Sequence, residues 1–67
     1  MNERIEETVP AAFEGDRIDR FVAAVTGESR STVKALIAEG RVTHNGRTVT
    51  SASTRVDFDD RIVAELR

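Results

Sequence analysis

Residues 29–49, SRSTVKALIAEGRVTHNGRTV, change their hydrophobic period at Gly40, and this change indicates a mixed α and β fold. In the first half, three apolar residues recur at helical spacing: Val33, Leu36 and Ile37. Ser29 is a candidate N-cap, and Gly40 suits the left-handed position that follows the last turn of a helix. The pattern therefore predicts a helix over residues 30–39.

The second half of this stretch has the pattern of a β-hairpin. Asn45-Gly46 is a dipeptide that readily supplies the two positive φ angles of a type I′ turn. A two-residue loop at this position pairs His44 with Arg47 across the hairpin. The same register brings two valines together at the hairpin base, where they can be buried: Val42 and Val49.

Upstream of the hairpin and its helix, the sequence predicts two more elements. Four apolar residues recur at helical spacing and indicate a first helix: Ile18, Phe21, Val22 and Val25. Asp16 is the candidate N-cap of this helix, which Thr26-Gly27 closes. Residues 4–9 alternate weakly, as expected for a strand that ends at Pro10.

Downstream of the hairpin, residues 50–54 form a small polar connector and Asp59-Asp60 provides a turn. Three alternating apolar residues then predict a final strand: Ile62, Ala64 and Leu66. Together the elements predict an α+β fold, in which two short packed helices are followed by a small, mostly antiparallel sheet that contains the Asn-Gly hairpin. A chain of 67 residues has room for a single domain, residues 1–67, with a thin core.

Composition argues against several classes of chemistry. The chain has no cysteine, which removes disulfides, thiolate zinc sites and cysteine nucleophiles and is compatible with a cytoplasmic location. No apolar run approaches the roughly 18 residues of a membrane span, so no membrane partner is expected. His44 has no second ligand at metal-binding spacing, the Asp57–Asp60 run fits no calcium loop, and no base accompanies Ser29. No catalytic residue, metal site or cofactor is therefore predicted.

The net charge of −2 conceals an uneven distribution. Residues 1–16 carry −4, residues 17–47 carry +3 and residues 48–67 carry −1. Because charges beyond a Debye length of about 8–10 Å are screened, binding to a polyanion depends on the potential of one face. A basic middle between acidic flanks is compatible with a phosphate-binding surface, and equally with a charge-mixed, solvated surface.

Basic side chains of the middle segment could converge if the helices pack against the sheet: Arg17, Arg30, Lys34, Arg41 and Arg47. Nine of the ten basic residues are arginine, whose planar fork suits phosphate oxygens. Phe21 and Phe58 are expected in the core and Phe13 in a connector, so no aromatic platform for base stacking is predicted. The pattern favours contact with folded RNA or a duplex.

An ordered set of motifs resembles the small RNA-binding domain named after ribosomal protein S-four. These motifs are Gly15-Asp16-Arg17-Ile18-Asp19-Arg20-Phe21, Ser29-Arg30-Ser31, Leu36-Ile37, Gly40-Arg41-Val42, Asn45-Gly46, and Asp60 with Ile62. The resemblance covers the chain from about residue 8. Thr8-Val9-Pro10, a few residues before the first motif, is most similar to the N-terminal domain of large-subunit ribosomal RNA pseudouridine synthases.

The resemblance implies a monomeric module that docks structured ribosomal RNA through a basic face. It implies a longer parent enzyme, in which a pseudouridine synthase domain follows C-terminal to Arg67. It also implies a set of RNA-binding residues: Arg17, Arg20, Ser29, Arg30, Lys34, Arg41, Asn45 and Arg47. Asp19 is interpreted as a helix-start residue and not as a nucleophile, because no pocket can form around it in so small a domain.

The chain departs from the pattern of this family in three places. His44 stands where an aliphatic residue is usual, and Asp59 stands where a turn glycine is usual. The overall charge is acidic, which predicts weak, salt-sensitive RNA binding. Two alternatives stay open: a DNA-binding helix-turn-helix, with helices meeting across residues 26–28, and a protein-interaction domain whose arginines only solvate the surface.

Overall fold

The computed structural model describes residues 3–66. Its helices and strands follow one another in this order: β1 (Arg4–Thr8), α1 (Ile18–Thr26), α2 (Arg30–Ala38), β2 (Val42–His44), β3 (Arg47–Thr48) and β4 (Arg61–Glu65). A short 3-10 turn, Ala11–Phe13, lies between β1 and α1. The predicted α+β class is confirmed, with β1 joining the sheet from ahead of the two helices.

The strands form one antiparallel sheet in the order β1-β4-β2-β3. β4 lies inside the sheet, where Ala64 is opposite both Ile5 of β1 and Val42 of β2. The first and last strands of the chain are therefore neighbours. This arrangement holds the hairpin against β4 and leaves its tip beside the residues that precede β4.

One apolar core joins the helices, the sheet and the connectors. Its buried members are Val9, Ile18, Phe21, Val22, Val33, Leu36, Ile37, Val42, Val49, Val56, Ile62 and Ala64. The ring of Phe21 meets that of Phe13 edge-on, with centroids 5.2 Å apart. Phe21 is thus a core residue, as predicted.

The prediction that Phe58 belongs to the core is wrong, since this side chain is 57% exposed. Phe58 lies in a tight turn in which the Asp59 N–H donates to the Val9 carbonyl and Asp59 has a φ of 74°. Val56, two residues earlier, is fully buried instead. The turn carries residue 58 away from the core, while the preceding connector supplies the apolar side chain.

The predicted N-cap of α1 is also wrong. Arg17 occupies the N-cap position, and no side chain caps the helix. The N–H groups of Ile18 and Asp19 donate to the Thr54 and Ala52 carbonyls, at 2.7 and 3.4 Å. Backbone acceptors from the polar connector therefore satisfy the helix start, a role that side-chain capping usually fills.

Local signals around α2 and the hairpin are confirmed. Thr32 N–H donates to Ser29 Oγ at 3.1 Å, and Gly40 has the left-handed φ of 74° that ends the helix. Asn45 and Gly46 have φ angles of 52° and 87°, as a type I′ turn requires. The predicted hairpin register, with His44 opposite Arg47, is also confirmed.

Candidate nucleic-acid interface

Three charged residues form a cluster between the starts of α1 and α2, here called the arginine clamp: Arg17, Asp19 and Arg30. Arg17 Nε donates to Asp19 Oδ1 at 3.2 Å, and Arg17 Nη2 donates to Oδ2 at 3.1 Å. Arg30 Nη2 donates to the same two oxygens, at 3.4 and 3.3 Å. One carboxylate thus holds two guanidinium groups, one from the residue before α1 and one from the first residue of α2.

Burial separates the centre of the clamp from its arms. The Asp19 side chain has no exposed surface, whereas the side chains of Arg17 and Arg30 are 39% and 53% exposed. A buried charge is tolerated only when it is paired and hydrogen-bonded, and both arginines fulfil this condition. The clamp is therefore anchored inside the fold and presents positive charge at the surface.

The electrostatics of the clamp keep Asp19 ionised. Burial acts to raise the pKa of Asp19, but the hydrogen bonds from Arg30 and Arg17 outweigh it and hold the pKa below its ordinary value of 3.8. Arginine stays protonated at any pH in the physiological range. All members of the clamp are therefore charged at neutral pH.

Local backbone geometry explains how the clamp forms. Arg17 has an extended backbone, with φ −72° and ψ 144°, and lies directly before α1, so its side chain can reach the first turn. Arg30 is the first residue of α2, immediately after the Ser29 cap. Lys34 follows Arg30 by four residues and therefore projects from the same side of α2. Within residues 3–66, Lys34 forms no ion pair.

The other predicted cations lie outside the clamp. Arg20 is exposed on α1, with its Nη1 atom 3.7 Å from Asp16 Oδ1. The Arg41 guanidinium is bound by Glu39 at 2.6 Å, beyond the last turn of α2, whereas Arg30 begins that helix. Arg47 is exposed on the hairpin, opposite His44. The structure brings Arg17 and Arg30 together, whereas the contribution of the other cations to a common face stays a prediction.

Two predicted RNA-binding residues use their side chains inside the fold. Ser29 Oγ accepts from Thr32 N–H and thereby caps α2. Asn45 Nδ2 donates to Asp60 Oδ1 at 3.1 Å, while Asn45 Oδ1 accepts from Arg61 N–H at 2.8 Å. Both side chains shape the elements that carry the arginines, and a direct contact with RNA by either stays a prediction.

Sequence reasoning missed the role of His44, which closes a polar cluster at the hairpin tip. His44 Nε2 donates to Asp60 Oδ2 at 2.6 Å, because an ionised carboxylate can only accept. Asp57 N–H donates to the same oxygen at 2.8 Å. The cluster, named the hairpin knot, consists of His44, Asn45 and Asp60. His44 and Asn45 are 16 and 15 residues from Asp60 along the chain, so no local pattern indicates this cluster.

No group of three histidine or acidic side chains within residues 3–66 could hold a metal ion. None of the helices described in this range is long and apolar enough to cross a membrane.

Comparison with known proteins identifies one family for the segment that contains the clamp and the hairpin. The family model of the S4 domain matches residues 16–62, which is more than half of the chain and includes both helices and the hairpin. No curated protein matches the chain at a significant level. S4 domains are non-catalytic, RNA-binding modules. The chain therefore belongs to the S4 domain family.

Proposed function

We propose that this S4 domain docks structured ribosomal RNA through the face formed by the arginine clamp and Lys34. The observation that carries the proposal is the clamp itself, in which two half-exposed guanidinium groups are held side by side by one buried carboxylate. In this proposal Arg20, Arg41 and Arg47 add RNA contacts outside the clamp, and Ser29 and Asn45 support the domain through the helix cap and the hairpin turn.

The chemistry of the face suits phosphates better than bases. Guanidinium forks bind phosphate oxygens through paired hydrogen bonds, while Lys34 adds a point charge one turn further along α2. Among residues 3–66, Phe58 is the one large apolar side chain that is exposed, and it lies in an acidic turn and not among these cations. We therefore expect the domain to recognise the shape of a folded RNA backbone, with little dependence on sequence.

The domain serves, in this proposal, as the RNA-docking part of a cytoplasmic ribosomal RNA pseudouridine synthase. The support is the sequence similarity at Thr8-Val9-Pro10 and at the motif over residues 15–21. A non-catalytic module of this size contributes to such an enzyme by binding the RNA substrate and so bringing the attached catalytic domain to it. It acts as a monomer, because one copy already contains the whole face.

Binding to ribosomal RNA fragments tests the proposal. Fluorescence anisotropy with a hairpin from ribosomal RNA should show an affinity that falls as salt rises, with a logarithmic slope of about −2 to −4 for three to four neutralised phosphates. Lys34→Gln should weaken binding about threefold to tenfold and reduce the magnitude of this slope by about 1.

Arg61→Gln is the matched control for Lys34→Gln. It removes the same charge from β4, where Arg61 Nη1 lies 3.5 Å from Glu6 Oε2, away from the clamp. Equal losses in the two variants, equal or tighter binding to duplex DNA, or an affinity that does not change with salt would contradict the proposed function.

A further inference from the structure

We propose that Asp19 is a positioning residue for RNA binding, which fixes Arg17 and Arg30 at one spacing so that they bind the RNA backbone as a single prearranged unit. The inference rests on the proposed function, and it adds a negatively charged residue to those on which RNA binding depends. Asp19 itself does not contact RNA in this account, because its side chain has no exposed surface.

Hydrogen-bond geometry assigns this role to Asp19. Each carboxylate oxygen of Asp19 accepts from both arginines, so four hydrogen bonds occupy the acceptor sites of the carboxylate. The clamp uses Nε and Nη2 of Arg17 and only Nη2 of Arg30. The Nη1 groups of both arginines, on side chains that are partly exposed, remain as donors for a ligand.

Prearrangement increases affinity because binding then orders fewer side-chain torsions. A free arginine side chain loses much of its rotamer freedom when it binds a phosphate, and this loss reduces the affinity. In the clamp, both arginines are already restrained before RNA arrives. The restraint crosses from α1 to α2, over 11 residues of chain, so it also fixes the relative position of the two donors.

The charge of Asp19 makes the proposal sharply testable. If the RNA face acted only through its net charge, removal of a carboxylate beside two arginines would strengthen RNA binding. If Asp19 acts by positioning, the same removal weakens binding, although the face becomes more positive. The two accounts therefore predict opposite signs for one substitution.

The experiment compares Asp19→Asn with Asp16→Asn, each of which removes one negative charge next to an arginine at the start of α1. Asp16 is the matched control, because its contact with Arg20 is long, at 3.7 Å, and the Arg20 side chain is 65% exposed. Anisotropy titrations with a ribosomal RNA hairpin at constant salt should show binding about fivefold to tenfold weaker for Asp19→Asn. Asp16→Asn should bind as tightly as the wild type, or more tightly.

A measurement on the wild-type domain tests the proposal even if Asp19→Asn does not fold. Nuclear magnetic resonance of the arginine side chains in the absence of RNA should show slow Nε–H exchange and hindered guanidinium rotation for Arg17. Arg20, whose 65% exposed side chain has only a 3.7 Å ion-pair contact with Asp16, provides the internal reference for a weakly restrained group. Averaged signals for Arg17 that match those of Arg20 would overturn the proposal, whatever the variant does.

The titration outcomes separate this inference from the proposed function. If the wild type binds the hairpin and folded Asp19→Asn binds as tightly as Asp16→Asn or more tightly, the positioning role is overturned while the RNA-binding face stands. If the wild type itself does not bind the RNA at low salt, the proposed function fails, and the inference fails with it.

Discussion

The arginine clamp and the hairpin knot are both built around a shielded aspartate, yet they differ in what they leave at the surface. In the clamp, Asp19 gathers two permanent cations whose arms stay 39% and 53% exposed. In the knot, the Asp60 side chain is 16% exposed and receives an imidazole, an amide and a backbone N–H, each used within the fold.

The comparison indicates how a polar cluster that stabilises a fold differs from one that also prepares a binding surface. A cluster that uses up its donors internally closes a turn, whereas a cluster that retains donors can bind a further anion. Asp60 is therefore expected to matter for stability and Asp19 for RNA affinity. Substitutions in the two clusters should therefore change different properties of the domain.

The largest effect is expected from loss of the knot. Asp60→Ala leaves His44, Asn45 Nδ2 and the Asp57 N–H without their acceptor, and should reduce the free energy of unfolding by ~2–3 kcal/mol. Urea unfolding monitored by circular dichroism measures this change. Asp57→Ala is the control, because its exposed side chain can be removed while its N–H remains; an equal loss in this variant would contradict the assigned role of Asp60.

The stabilisation that the hairpin knot provides should decrease at acidic pH. The hydrogen bond from His44, followed by that from the Asp57 N–H, lowers the pKa of Asp60 below its ordinary value of 3.8. Because the folded pKa is the lower one, the stabilisation is complete above the unfolded pKa and is lost as pH falls through the folded pKa.

Unfolding free energies measured from about pH 5 down to pH 2 should therefore decline, and the decline should be shallower in His44→Leu, which has no side-chain donor for Asp60 and so lacks the main cause of the shift. Arg47→Gln, on the opposite strand, should follow the wild-type curve. Parallel curves for His44→Leu and the wild type would show that the hydrogen bond from the imidazole does not cause this pH dependence.

A smaller effect separates the fork of arginine from its charge in the clamp. Arg30→Lys keeps the positive charge but removes the guanidinium, whose Nη2 donates to both oxygens of Asp19 while its Nη1 stays available for a phosphate. RNA affinity should fall about threefold to fivefold with an unchanged salt slope, as measured by anisotropy at several salt concentrations. Arg47→Lys, outside the clamp, should change affinity by less; equal losses would contradict a special role for the clamp.

The smallest effect concerns the turn beside the knot. Asp59 has a φ of 74°, a conformation that glycine adopts without strain. Asp59→Gly should raise the free energy of unfolding by about 0.5–1 kcal/mol, whereas Asp57→Gly, at an ordinary φ, should lower it. Thermal unfolding of the two variants checks this pair, and a destabilised Asp59→Gly would show that the side chain contributes more than its strained backbone costs.

The parts of the fold that sequence predicts correctly are those set by neighbouring residues. The helix cap at Ser29, the helix end at Gly40 and the turn at Asn45-Gly46 each involve residues only a few positions apart. Their local sequence patterns were therefore sufficient to predict them. The prediction that Asp16 caps α1 is wrong because backbone carbonyls of the connector, about 35 residues later, accept hydrogen bonds from the first N–H groups of the helix.

The candidate site divides in the same way. Arginine and lysine content and spacing identify the basic segment, and Arg30 and Lys34 share a side of α2 because they are four residues apart. The pairing of Asp19 with Arg30, and that of His44 with Asp60, depends on how α2 packs on α1 and how β2 pairs with β4. Long-range packing also left Val56 in the core and Phe58 outside it, although both are apolar and only two residues apart.

Nuclear magnetic resonance mapping tests most directly whether RNA docks on the clamp. Titration of the labelled domain with a ribosomal RNA hairpin should shift the signals of Arg17, Arg30 and Lys34 most, with saturation at one RNA per domain. The knot signals of His44 and Asn45 should shift less. Largest shifts on the outer face of the sheet, at Glu6 and Arg61, with unchanged clamp signals would contradict the account.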